Sequence, residues 1–71
     1  MKNRKYESYL KFEELMNQKS MNIPKVSEEL DIPMTSLYDW KNDNSKPKLE
    51  KLLKIAGFFG VDVSVFADSE R

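Results

Sequence analysis

The sequence predicts an all-α fold, built as one small domain over residues 1–71. Three observations predict it. Apolar residues recur at spacings of three and four in several short segments. Asn22, Pro33 and Pro47 stand where helices would start. A chain of 71 residues has material for one core only. With 39% hydrophobic and 34% charged residues, the composition is that of an ordinary folded chain, not a disordered one.

The first helix is expected from Tyr6 to Gln18, because Tyr9, Phe12, Leu15 and Met16 mark one face. Ser20 to Asn22 breaks it. Asn22 is a good N-cap and Pro24 falls in a first helical turn, where its missing N–H costs nothing. A second helix follows from Ile23 to Leu30, with Val26 and Leu30 inward. Asp31 ends it, since Asp tolerates the left-handed backbone better than most non-glycine residues. Pro33 pushes Ile32 into an extended conformation and opens a third helix to Lys41, with Leu37 and Trp40 inward. Asn42 to Lys46 is a polar loop. Pro47 is expected to open a fourth helix, in which Leu49, Leu52, Leu53 and Ala56 stand at i, i+3, i+4 and i+7. Gly57 and Gly60 are expected to weaken it around Phe58 and Phe59. The end reads two ways. Val61, Val63 and Val65 alternate as in a strand, but Asp62 could equally cap a short helix with Val65 and Phe66 inward.

Several function classes drop out. The chain has no cysteine, hence no disulfide and no thiolate metal site, and no histidine, which removes most zinc sites and the Ser-His and Cys-His nucleophiles. Glu13–Glu14 and Glu28–Glu29 are adjacent carboxylates, which diverge by about 100° on a helix and do not face each other. No metal, organic cofactor or enzymatic activity is expected. The longest apolar run, Ile55 to Val61, has seven residues including both glycines, too short for a membrane span. Lys2, Arg4 and Lys5 are followed by no apolar stretch, so no secretory leader is expected and a cytoplasmic setting fits.

The net charge is zero, yet it is unevenly spread. Residues 1–11 carry +3, residues 12–40 carry −4, residues 41–54 carry +3, and residues 55–71 carry −2. Local patches of this kind govern association more than the total does.

Two short helices around a tight turn, over residues 22–41, make a candidate helix-turn-helix. Ser27 is small where helices must approach, Asp31 occupies the turn, Ile32 plugs the corner, and Leu37 and Trp40 seal the next helix. With Phe12-x-x-Leu15 before it, and Pro47-x-Leu49-Glu50-x-Leu52-Leu53-Lys54-Ile55-Ala56 and Phe59-Gly60-Val61 after it, the chain resembles the lambda-repressor/Cro-like (XRE-type) helix-turn-helix family of small regulators. The likeness covers about Phe12 to Phe66. It implies five helices and favours a short fifth helix over a strand at 62–66. The sequence departs from the family's usual pattern where glycine is common, at Asp31 and Asp43, and in the reader helix, which lacks a basic residue before Lys41.

The resemblance implies that the third helix enters the major groove of operator DNA. Thr35 and Ser36 would then reach bases or phosphates, Met34 a thymine methyl, and Tyr38 a phosphate. Lys25, Lys41, Asn42, Asn44 and Lys46 would contact the backbone, with the basic segments at 1–11 and 41–54 flanking the motif. For Lys48, Lys51 and Lys54 a plain solvated helix face is the preferred reading. Asp39 at a groove-facing position would repel phosphate unless it accepts from a cytosine amino group.

A second reading therefore stands beside DNA binding. The family includes phage antirepressors, and Met34, Thr35, Tyr38 and Asp39 suit a protein partner, such as a repressor with a basic reading helix. Among Phe58, Phe59, Val63, Val65 and Phe66, not all fit one core. Phe58, Val63 and Phe66 are candidate contacts of a homodimer, since family members often bind paired half-sites. No separate oligomerisation or effector domain is expected.

Overall fold

The structure, a computed structural model, describes residues 4–68. It contains α1 (Ser8–Gln18), α2 (Ile23–Leu30), α3 (Met34–Lys41) and α4 (Leu49–Phe59), followed by a 3₁₀ turn at Val63–Phe66. Among the described residues there is no strand. Four α-helices stand among the described residues, and where a short fifth helix was expected there is this four-residue 3₁₀ turn. The valine alternation fails as a strand because the Asp62 carboxylate accepts the Ser64 amide at 2.8 Å, and Val65 N–H then bonds the Asp62 carbonyl at 3.1 Å. Hydrogen bonding from Ser64, first through its amide and then through its side chain, holds the Asp62 carboxyl below its ordinary pKa.

The motif folds as its local signals dictate. Asn22 Oδ1 accepts the Lys25 amide at 2.9 Å and caps α2. Asp31 ends α2 in the left-handed region, with φ of 56°. The Ser27 hydroxyl donates to the Ile32 carbonyl, and Ile32 N–H returns a bond to the Ser27 carbonyl at 3.1 Å, so Ser27 clamps the turn. Ile32, Leu37 and Trp40 are buried, as the corner and the seal require.

Three boundaries and one face differ from expectation. The first helix starts at Ser8, not Tyr6, because the Asp68 carboxylate accepts the Ser8 amide at 2.8 Å and caps it there. Pro33 is the N-cap of α3, whose first helical residue is Met34. Pro47 lies buried two residues ahead of α4 and does not open that helix. Within α4 the buried stripe is Leu52, Ile55, Ala56 and Phe59, while Leu49 and Leu53 are 62% and 52% exposed. Both stripes have helical spacing, but a helix turns only one face to a core. Gly57 does not break α4, which runs through Phe59 and ends at Gly60 with φ of 70°.

Trp40 is the centre of the core. Phe12 stacks on it at 5.0 Å, and Tyr9 and Phe66 meet it edge-on at 5.8 and 5.7 Å. Such aromatic pairs add about 0.5–1.5 kcal/mol each beyond the area they bury. Its indole N–H donates to the Ser8 hydroxyl at 3.0 Å, which in turn donates to Asp68 at 2.6 Å. The Lys46 ammonium completes this chain, 2.8 Å from Asp68 and bonded to the Phe66 carbonyl at 2.5 Å. Burial alone would raise the Asp68 pKa, but the hydrogen bonds from Lys46 and Ser8 and the Lys46 charge outweigh it, and the carboxyl is held below its ordinary value.

Two expected surface roles are thereby corrected. Phe66 is 1% exposed and belongs to the core, so it offers no dimer contact. Lys46, expected at the surface as a backbone contact, is tied in this fold to Asp68 and the Phe66 carbonyl.

Candidate nucleic-acid interface

The outward face of α3 follows from its inward one. Leu37 and Trp40, both with no exposed surface, fix the helix rotation about its axis. At about 100° per residue the side opposite them carries Thr35, with Tyr38 and Asp39 one turn later. Thr35 is exposed, and so are Met34 and Tyr38, whereas Ser36 and Asp39 are half-buried. The Ser36 amide donates to the Pro33 carbonyl at 3.0 Å, which sets the first turn. The helix thus presents a small hydroxyl centre, an apolar edge at Met34 and a phenol at Tyr38.

The charged surroundings are sparser than the sequence suggests. Lys25 and Lys41 are exposed on α2 and α3, and the Lys41 ammonium lies 5.9 Å from the centroid of the Tyr38 ring. Asn42 and Asn44 are exposed just beyond α3. Other cations point elsewhere. Lys54 reaches the Leu30 carbonyl at 3.4 Å, Lys11 lies 3.6 Å from Glu14, and Arg4 turns onto the end of α3. Glu28, Glu29 and Asp31 are exposed on the same motif.

Beside α3 an open cleft of about 250 Å³ is lined by Tyr38 and Lys41 and by Glu13, Asn17, Met16 and Met21. Tyr9 also borders it; burial first, and Glu13 next, push its phenol pKa up against the pull of Arg4. Among the described residues no group of three or more acidic side chains could hold a metal. No described helix is long and apolar enough to cross a membrane. Of the candidate dimer residues, Phe58 is 37% exposed and Val63 is half-buried. Sequence reasoning missed Ser8, Asp68, Arg4 and Asp43 as residues that hold α3. Ser8 and Asp68 are 60 positions apart, a separation without any local signal.

The chain matches the Cro/C1-type helix-turn-helix DNA-binding domain over residues 11–64. No curated protein and no solved structure matches it. The match runs from within α1 into the 3₁₀ turn and includes the whole of α3. The family is regulatory and not enzymatic. With most of its length inside that domain, the chain belongs to the Cro/C1-type helix-turn-helix DNA-binding family.

Proposed function

We propose that this chain is a phage or bacterial transcriptional regulator that binds operator DNA with α3 in the major groove. The observation that carries the reading is the arrangement of α3: two fully buried side chains lock it, and Met34, Thr35 and Tyr38 stand outward on a family-matched frame. Thr35 and Ser36 read base edges, Met34 touches a thymine methyl, and Tyr38, Lys25, Lys41, Asn42 and Asn44 hold the backbone. A second copy would meet this one on Phe58 and Val63. The test is the double variant Thr35→Ala, Ser36→Ala against operators selected from a random duplex pool. Its preference among them should collapse by about tenfold or more, given about 1–3 kcal/mol per good base contact. Retained preference would sink the assignment of α3 as reader.

One observation favours a second reading, an antirepressor that presents the same face to a repressor protein. Exposed Glu28, Glu29 and Asp31 and half-buried Asp39 surround a face with few cations, which duplex DNA disfavours and a basic reading helix favours. Asp39→Lys separates the two readings. It strengthens binding to DNA in the first and weakens binding to a basic partner in the second.

A further inference from the structure

Residues 4–7 lie across the C-terminal end of α3. The Arg4 guanidinium donates to the Lys41 carbonyl at 2.9 Å and to the Trp40 carbonyl at 3.5 Å. It sits 3.5 Å from Asp43 Oδ1 and 5.3 Å from the centroid of the Tyr9 ring. The same Asp43 oxygen accepts the Tyr6 amide at 3.1 Å. Among the described residues, Arg4 makes the only side-chain hydrogen bonds to the α3 backbone. The other end of the helix begins at Pro33 and has no side-chain cap. A helix end with unbonded carbonyls carries partial negative charge; the Trp40 carbonyl also takes the Asp43 amide, and the Lys41 carbonyl is bonded by the guanidinium.

Asp43 supplies an independent observation. Its φ is 62°, a conformation that glycine adopts freely and aspartate does not. The turn itself is made by backbone groups: Asp43 N–H bonds the Trp40 carbonyl at 3.2 Å, and Asn44 N–H the Asp39 carbonyl at 2.8 Å. The carboxylate has no part in the turn, and its partners are Arg4 and the Tyr6 amide. A side chain that strains the turn is thus kept in contact with the N-terminal arm.

We infer that Arg4 and Asp43 are positioning residues that seat the last turn of α3, and so fix how Tyr38 and Lys41 meet DNA. This rests on the DNA-binding reading above. Arg4 acts here through α3 and not through a phosphate, which gives it a distinct signature. Loss of a phosphate contact lowers the salt slope of binding by about 0.9, whereas loss of the seat weakens binding at an unchanged slope.

The experiment uses the full chain and a mixed-sequence duplex across a salt series, with thermal unfolding and amide exchange of Asn42 and Asn44 alongside. Asp43→Gly relieves the left-handed strain and removes the seat. It should melt at the native temperature or above, exchange Asn42 and Asn44 faster, and bind about three- to tenfold more weakly at the native slope. Arg4→Ala should bind equally weakly, and Arg4→Lys should recover part of the loss. Native binding and native exchange in Asp43→Gly would overturn the seating, as would a slope reduced by about one in Arg4→Ala. Failure of the native chain to bind any duplex would overturn the underlying reading, and this inference with it.

Discussion

Asp68 holds three groups at once: the first amide of α1, the Ser8 hydroxyl beneath Trp40, and the Lys46 ammonium. Hydrogen bonds to a charged partner are worth about 1.5–3 kcal/mol, so Asp68→Asn should destabilise the fold by roughly that amount in urea titration. The same carboxylate gives a pH dependence. Its pKa is lower in the folded chain than in the unfolded one, so the unfolded chain takes up the proton first as pH falls. Its contribution is complete above the ordinary carboxylate range and is lost as pH drops through the folded value. Below about pH 4 the native protein should therefore lose melting temperature more steeply than Asp68→Asn does. Parallel curves would show that Asp68 is not the group responsible. Asp31 offers the opposite case. It is exposed at φ of 56°, and nothing among the described residues bonds its carboxylate, so Asp31→Gly should raise stability by roughly 0.5–1 kcal/mol.

At the scale of elements, the last turn decides between a core and a surface role for Phe66. Buried against Trp40 at 5.7 Å, it should cost about 3–5 kcal/mol when changed to alanine, with no change of mass in solution. A change of mass at native stability would restore the dimer role. The helix-turn-helix was legible because its signals are local: the Asn22 cap, Pro24 in the first turn, and Asp31 at the end all lie within ten residues. The core face of α4 was not. Leu49 and Leu53 fit helical spacing as well as Ile55 and Phe59 do, and only packing against the last turn, α2 and Phe12 selects the second set. The closing turn was legible only as one of two alternatives. Asp62 tips it from strand to 3₁₀ through a single hydrogen bond that alternation cannot reveal.

At the scale of the whole molecule, charge patches by sequence overstate what is available to a partner. Arg4 from the first basic segment is spent on the end of α3, and Lys46 from the second on Asp68. The outward face of α3 was legible, because the pattern of Leu37 and Trp40 fixes it. The flanking cations were not, since their internal partners are distant in sequence. What remains beside α3 is Lys25 and Lys41, with the neutral amides of Asn42 and Asn44. This leaves about two phosphates to be neutralised, and a modest electrostatic share of binding.

Fluorescence anisotropy with a mixed-sequence duplex, at about 50 and 200 mM salt, tests DNA binding most directly. Two neutralised phosphates give a slope of about −2, so micromolar binding at low salt should weaken roughly 10- to 20-fold over that range. No binding at the lower salt, or binding indifferent to salt, would contradict the reading of α3 as a DNA reader and place a protein partner on that face.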